Sequence, residues 1–217
     1  MLNPNLVFLG AFASLVGTLA YSWQTLKGKA QPNRVTWTLW SIAPILAFVA
    51  EVNQGVGLQS VMTLTLGLGP MCVLTASFIS KSASWKLGPF DVACGVMSVA
   101  GIIVWAVTSN ATVALVSFMV ADGLAGLPTL VKAYRDPESE KPSTYIGGII
   151  NAAFTMATIT KWTTAEFAFP VQILIFNSLE VFIITSKIGP RLRGELYETP
   201  TQSEHALPSA HGDQHHG

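Results

Sequence analysis

Charged side chains are scarce in this 217-residue sequence, where Asp, Glu, Lys and Arg together make up 11% of the chain. Soluble domains usually carry about a quarter of such residues. Half of the chain is hydrophobic, the mean hydropathy is +0.48, and the basic and acidic residues cancel to a net charge of zero. So few basic residues exclude an extended phosphate-binding face, and with it a nucleic-acid partner. The composition predicts a protein that crosses a lipid bilayer several times.

Cysteine and histidine are also rare, and their positions argue against an enzyme or a metalloprotein. Cys72 and Cys94 fall inside apolar stretches, where we expect buried thiols rather than a disulfide. The sequence contains no Gly-x-Ser-x-Gly, no His-Glu-x-x-His and no phosphate-binding glycine loop. We therefore predict no enzymatic activity, no catalytic residues, no cofactor and no metal site. All four histidines lie in the C-terminal tail: His205, His211, His215 and His216.

Seven apolar segments are long enough to cross a bilayer core, which takes about 20 residues of helix. The N-terminus lacks the basic residues of a cleaved signal peptide, so we expect the first segment to be retained. Short connections predict that consecutive helices run antiparallel. The fold class is predicted to be all-α, a polytopic membrane protein with seven transmembrane helices. The segments cover approximately residues 5–26, 33–52, 57–80, 90–108, 111–134, 143–160 and 165–188.

Basic residues are distributed unequally between the connections of this seven-helix arrangement. Eleven of the twelve lie on one side of the membrane, and Lys161 is the exception. Because basic residues concentrate in cytoplasmic loops, the N-terminus is predicted outside and the C-terminus in the cytoplasm. The predicted location is an integral, multi-pass protein of the plasma (inner) membrane. The eleven are Lys27, Lys29, Arg34, Lys81, Lys86, Lys132, Arg135, Lys141, Lys187, Arg191 and Arg193.

Two stretches of the chain, 24–37 and 132–145, have similar patterns. Each closes an apolar segment, crosses a basic loop and opens the next segment with Pro and then Thr-aromatic. Such an echo suggests one folding unit used twice. The two loops are four helices apart, so the copies are predicted to be parallel, in a 3+1+3 arrangement. The predicted units are a first three-helix repeat (1–82), a linker helix (83–109), a second repeat (110–188) and a polar, disordered cytoplasmic tail (189–217).

The second copy carries a motif that resembles a known family. Leu127-Pro128-Thr129, a basic helix end and then Pro142-Ser143-Thr144-Tyr145 resemble the PQ-loop signature of the SWEET-like (MtN3/PQ-loop) transporters. The departures are that Thr129 replaces the Gln and that the first copy has no matching Pro. The resemblance implies a seven-helix 3+1+3 carrier with its N-terminus outside. Vitamin transporters of the PnuC type share a similar layout.

Five residues are candidates for substrate binding. Asp122 lies near mid-membrane, where an ionisable group is costly and commonly functional. Asn177 and Glu180 share one face of the last segment, and the family resemblance implies a binding-site Asn in that helix. Asn151 could line the same cavity, and Trp40 could stack on a flat ligand. Structural polar contacts between helices remain the alternative for the polar side chains, and an interfacial aromatic belt is the alternative for Trp40.

Other residues receive hinge or surface interpretations. Prolines inside the segments could let helices bend and act as gating hinges. Trp37 and Tyr145, at matching places in the two copies, are predicted to belong to the aromatic belt. Glu138 and Glu140 are predicted to be solvated in a loop. The hinge candidates are Pro44, Pro70, Pro128 and Pro170.

These features favour a multi-pass carrier that moves a small polar molecule, such as a sugar or another metabolite, by alternating access. A proton bound at Asp122 would make the transport pH-dependent. The alternative is a non-transporting membrane module, either an accessory subunit of a larger membrane complex or a receptor. The expected partners are the lipid bilayer and a small-molecule substrate. Pairing with a second copy or joining a larger membrane complex is left open by the sequence.

Overall fold

A computed structural model of the protein describes residues 5–53, 60–80, 83, 85–159 and 162–195. These residues are helical with short connections and contain no strand, so the predicted all-α class is confirmed. The α-helices among the described residues are α1 (Leu6–Leu26), α2 (Arg34–Asn53), α3 (Ser60–Ile79), α4 (Pro89–Val107), α5 (Ala111–Arg135), α6 (Ser143–Thr158), α7 (Thr164–Ser186) and α8 (Ile188–Leu192). A 3-10 turn, Pro137–Ser139, lies between α5 and α6.

Four of the helices contain stretches long and apolar enough to cross a membrane. They are Leu6–Leu26, Pro89–Val107, Thr112–Arg135 and Glu166–Ser186, and two shorter apolar stretches cover Arg34–Val49 and Thr63–Ile79. This is consistent with a membrane protein. Helix α8 was not predicted, and the histidines of the C-terminal tail lie outside the described residues.

Helix α1 shows why these sequences pack as they do. Its exposed side is apolar, with Phe12 67% exposed, whereas its buried side carries small and polar residues. Gly17 on that side approaches α6 so closely that a Cβ built on it would lie 2.4 Å from the backbone oxygen of Ser143. Small residues permit such close helix crossings, and lipid can solvate the apolar side. A helix in water would have the opposite arrangement, with its polar side chains exposed and its apolar side chains buried.

We refer to α1–α3 as the first group of helices and to α5–α7 as the second group. In the first group α3 packs against both α1 and α2, and in the second group α7 packs against both α5 and α6. The groups meet where α1 packs along α6 and where α2 contacts α5. Helix α4 packs mainly on α5, and Ser98 of α4 donates a 2.6 Å hydrogen bond to the backbone oxygen of Ala121.

The two echoed loops lie together at one end of the bundle. The backbone N–H of Gln31 donates to the oxygen of Ser139 over 2.9 Å, which joins the α1–α2 loop to the α5–α6 loop. Lys187, where α7 ends in a left-handed conformation (φ 51°), contacts Glu138 there. We call this the basic end. Both echoed loops therefore lie at the same end of the helix bundle.

The thiols differ from expectation at one position. Both cysteines are free, as predicted, and Cys94 is buried. Cys72 is exposed on α3, so the prediction that it is buried is wrong. The apolar stretch around Cys72 faces outward as well as inward, and apolar composition alone does not distinguish the two sides of a helix that contacts lipid.

Candidate functional site

A cavity of about 70 Å³ lies between the two groups of helices. Every helix of α1–α3 and α5–α7 contributes to its wall, whereas no described residue of α4 does. The cavity is larger than one water needs, but it is far smaller than the roughly 300–1,000 Å³ of typical ligand pockets. The two groups of helices would therefore have to move apart to admit a metabolite.

Three of the five predicted binding residues line this cavity: Trp40 of α2, Asp122 of α5 and Asn177 of α7. The carboxylate of Asp122 accepts a 3.1 Å hydrogen bond from Gln172, and its backbone oxygen accepts a 3.3 Å bond from the Trp40 indole. Gln172 also donates to the backbone oxygen of Met119 over 2.9 Å. The site thus presents a carboxylate, an amide and an indole to one space.

A row of aromatic rings connects this cavity with the basic end. Tyr21 packs on Trp37 with ring centroids 4.9 Å apart, Trp37 meets Trp40 at 5.7 Å, and Trp40 meets Phe176 at 6.1 Å. The last two contacts are edge-to-face, the geometry favoured by the ring quadrupoles. The row crosses from α1 and α2 to α7 and therefore belongs to both groups of helices.

Two glycines make room for the side chains of the cavity. A Cβ on Gly126 would lie 2.4 Å from the Phe176 ring and 2.8 Å from the Trp40 ring. A Cβ on Gly148 would lie 2.1 Å from the amide nitrogen of Asn177. Glycine at these two positions therefore leaves room for the side chains of Phe176, Trp40 and Asn177.

The other two predicted binding residues lie outside the cavity wall. Asn151 is buried where α6 crosses α1, with its side-chain oxygen 2.8 Å from the place of a Cβ on Gly10. Glu180 is buried near the basic end, where it interacts electrostatically with Glu140 and Lys132. The structure therefore brings Asp122, Asn177 and Trp40 together and places these two elsewhere.

The four predicted hinge prolines all lie within helices, but only two touch the cavity. Pro44 of α2 and Pro70 of α3 line its wall. Pro128 of α5 and Pro170 of α7 are buried and do not line it. A proline inside a helix removes one backbone hydrogen bond, which makes a bend at that turn less costly.

A cluster of buried charges closes the basic end. Lys132 of α5 forms an ion pair with Glu140, and both side chains are completely buried. The ammonium also donates to the backbone oxygen of Gln31. The second carboxylate oxygen of Glu140 accepts hydrogen bonds from Tyr21 (2.6 Å) and Tyr145 (3.2 Å). The cluster thus ties the first group of helices to the second.

This cluster contradicts two predictions. Glu140 is 1% exposed, so the prediction that it is solvated is wrong. Trp37 and Tyr145 are 1% and 2% exposed, so their assignment to the aromatic belt is also wrong, whereas Trp23 is exposed. Glu138 is exposed, as predicted. Its hydrogen bond and charge interaction with Lys187 lower the pKa of the Glu138 carboxyl.

The residues that sequence reasoning missed are Lys132 and Tyr21. In the sequence, Lys132 is one of several basic residues at a helix end, and Tyr21 lies in an ordinary apolar segment. The one available signal was the echo, which places Tyr145 opposite Trp37 and thereby pairs two residues that both line the cavity. Nothing local indicates that a loop glutamate would fold in beside them.

The described residues contain no group of three or more His, Cys, Asp and Glu side chains that could hold a metal ion. Besides the carboxylate, amide and indole, the cavity wall carries the hydroxyl groups of Ser14, Thr18 and Thr144. In comparisons with protein families, with characterised proteins and with solved structures, no match to this chain is found.

Proposed function

We propose that this protein is a seven-helix membrane carrier, built as 3+1+3 parallel repeats, that moves a small polar molecule by alternating access. The observation that carries the proposal is the central cavity. It is walled by all six helices of the two groups, contains Asp122, Asn177 and Trp40, and is closed at the basic end. A carrier in an occluded state has these properties.

The repeat arrangement is supported by contacts that recur when the two groups are exchanged. If α1, α2 and α3 are matched with α5, α6 and α7, the contact of α1 with α6 becomes that of α5 with α2. Thr129 of α5 donates to Thr36 of α2 over 3.0 Å, and Thr18 of α1 lies 3.2 Å from Thr144 of α6. Thr36 and Thr144 occupy the same place in the sequence echo, whereas their partners Thr129 and Thr18 are offset by three residues in it, so the two contacts are similar in kind but not identical in position.

The orientation follows from the charges. With the basic end in the cytoplasm, the N-terminus lies outside the plasma (inner) membrane and the chain follows the positive-inside rule. In this arrangement α4 is the linker that restores the direction of the chain between the repeats. The resemblance of the region around Pro128 to the SWEET-like transporters agrees with that layout.

The chemistry of the wall indicates the class of substrate. The Asp122 carboxylate would accept hydrogen bonds from hydroxyl or amine groups of a ligand, and the Asn177 amide could both donate and accept them. Trp40 offers a flat face for stacking. Bending at Pro44 and Pro70 would widen the same space. A small polar metabolite, sugar-like or of similar size, fits this combination best.

The test is flux into proteoliposomes, with sugars, amino acids and vitamins first screened for thermal stabilisation of the purified protein. Losing a hydrogen bond to a charged group costs about 1.5–3 kcal/mol, and each 1.4 kcal/mol is a factor of ten. We expect Asp122→Asn and Asn177→Ala to lower the flux of the stabilising compound roughly tenfold or more. Ser178→Ala, an exposed neighbour on α7, is the matched control.

Flux that is equal in Asp122→Asn, Asn177→Ala and the unmodified protein would refute the assignment of the cavity. The absence of flux for every stabilising compound, together with a partner protein that co-purifies in fixed ratio, would favour the non-transporting module instead.

A further inference from the structure

Glu180 is a buried carboxyl group without a hydrogen-bond partner among the described residues. Its side chain is 0% exposed, and neither carboxylate oxygen has a hydrogen-bond partner among the described residues. An ionised carboxylate left in that condition costs several kcal/mol. A protonated carboxylic acid costs much less, because it carries no net charge.

Glu180 interacts electrostatically with groups of four elements: Lys132 of α5, Tyr145 of α6, Glu140 of the α5–α6 loop and Tyr21 of α1. The 3-10 turn also packs on α7, but its carboxyl group, Glu138, is exposed. Helix α8 is adjacent to α7, but the charged side chain of its last turn, Arg191, is exposed. The buried set therefore contains two carboxyl groups and one ammonium.

Charge balance decides the state of this set. With all three groups ionised the cluster carries a net charge of −1 in a dry site. One proton makes it neutral, and Glu140 is the carboxylate that keeps its charge because Lys132, Tyr21 and Tyr145 all bind it. The proton therefore belongs on Glu180, whose oxygens accept no hydrogen bonds from the described residues.

Resting on the proposed carrier function, we infer that Glu180 is the binding site for a coupling proton, and that release of this proton opens the basic end of the cavity. The proton passes from the Glu180 carboxyl to water at the basic end, and the cluster changes from neutral to −1. Two carboxylates then share one ammonium, and entry of water between them relieves their repulsion.

The position of the cluster explains how this would act on the pathway. Tyr21 and Gln31 belong to the first group of helices and its loop, whereas Lys132, Glu140 and Tyr145 belong to the second. Separating the charges therefore separates the two groups at the basic end. Because the closed state binds the proton more tightly, the closed population should grow as pH falls and shrink as pH rises.

The experiment measures access to the cavity from the basic end without needing the substrate. A cysteine-free background (Cys72→Ser with Cys94→Ala) carries Thr18→Cys, a position on the cavity wall. Inside-out membrane vesicles, with the basic end outward, are exposed to a membrane-impermeant maleimide at several pH values. The labelling rate is divided at each pH by the rate in the same protein with Glu180→Gln, which cancels the pH dependence of the thiol itself.

We expect the rate ratio to rise by roughly tenfold between about pH 6 and about pH 8, since one linked proton shifts an equilibrium by up to tenfold per pH unit. Glu180→Gln, a permanent mimic of the protonated acid, should stay closed across that range. Another carboxyl variant, exposed Glu138→Gln, should keep the pH dependence of the unmodified protein.

A second measurement on the protein with its native Glu180 guards against misfolding of the variant. In the difference between the infrared spectra of the unmodified protein and Glu180→Gln, which cancels the other carboxyl groups, the absorption of a protonated carboxyl should decrease over the same pH range. Equal pH dependence with and without Glu180, or its loss in Glu138→Gln, would overturn the inference and leave the carrier standing. If Thr18→Cys is labelled only after denaturation, whatever the pH, the proposed function fails, and the inference fails with it.

Discussion

Tyr21 of α1 donates a 2.6 Å hydrogen bond to the carboxylate of Glu140, which lies 119 residues later in the chain. Both side chains are buried, and the bond connects the first group of helices to the loop that precedes α6. The carboxylate is held from its other side by Lys132. One loop residue therefore joins helices from both groups at the basic end.

The phenol contacts of Glu140 should differ in strength. Tyr21 lies 2.6 Å from the carboxylate and Tyr145 lies 3.2 Å from the same oxygen. Hydrogen bonds to charged groups contribute about 1.5–3 kcal/mol. We expect Tyr21→Phe to lower the free energy of unfolding by an amount in that range and Tyr145→Phe by less, in reversible unfolding by denaturing detergent. Equal losses would contradict the unequal distances.

Removing the buried cation should cost much more than removing an exposed one. Lys132→Met leaves Glu140 without its ion-pair partner in a dry site, which costs about 3–5 kcal/mol. Lys187→Met is the matched control, because its ion pair with Glu138 is largely exposed and should contribute less than about 1 kcal/mol. Both variants are compared in the same unfolding measurement, and similar losses would argue against a buried charge pair.

Three glycines should respond differently to the same added methyl group. Gly17→Ala would meet the Ser143 backbone oxygen and should destabilise the packing of α1 on α6. Gly126→Ala should displace the ring of Phe176 and alter ligand binding in the cavity. Gly123→Ala is the control on the same helix as Gly126, since its Cβ would approach only the amide nitrogen of Gln172, at 3.9 Å.

These glycine variants are compared by thermal unfolding and by the thermal shift that a bound ligand causes. Gly17→Ala should lower the melting temperature, Gly126→Ala should reduce the ligand-induced shift, and Gly123→Ala should change neither. A melting temperature of Gly17→Ala as high as that of Gly123→Ala would contradict the close helix crossing.

The exposed pair of Glu138 and Lys187 predicts a small pH effect on stability. Its hydrogen bond to Lys187 lowers the pKa of Glu138 in the folded protein. A group with a lowered pKa stabilises the fold above its unfolded pKa, about 4.3, and that contribution is lost as pH falls through the folded value. We expect a loss below about 1 kcal/mol on acidification past pH ~4, because the pair is exposed.

The control for this pH effect is Glu138→Gln. Unfolding titrations of the two proteins between about pH 6 and about pH 3 should converge at the acidic end, because protonation and the substitution remove the same charge. A constant difference over the whole range would mean that the ion pair with Lys187 does not stabilise the fold.

The sequence predicted the helices well, because helix formation depends on local information. It did not predict that the two echoed loops would be joined by a hydrogen bond. Helix length follows from runs of apolar residues, and α1 begins and ends within one residue of its predicted bounds. The common end of the two loops follows from counting helices between them. The echo also placed Trp37 and Tyr145 as counterparts, and both line the cavity.

The candidate site was predicted only in part. Asp122 and Asn177 could be identified because polar residues are conspicuous in apolar segments. Gln172, which donates a hydrogen bond to the Asp122 carboxylate, is a weaker candidate from sequence alone, because an amide in an apolar segment has many alternative roles. The burial of Glu140 could not be predicted, since a carboxylate between basic residues in a loop is usually solvated.

The sequence by itself determined the all-α class, the apolar lengths and the concentration of basic residues at one end, because each is a property of short segments. Only the tertiary structure decided which polar groups meet. Whether Glu140 is solvated or buried depends on Tyr21 and Lys132, and whether Glu180 lies in the cavity or beside that ion pair depends on how α7 packs between α5 and α6. Those outcomes are set by helix crossings between residues far apart in the chain, which no local pattern records.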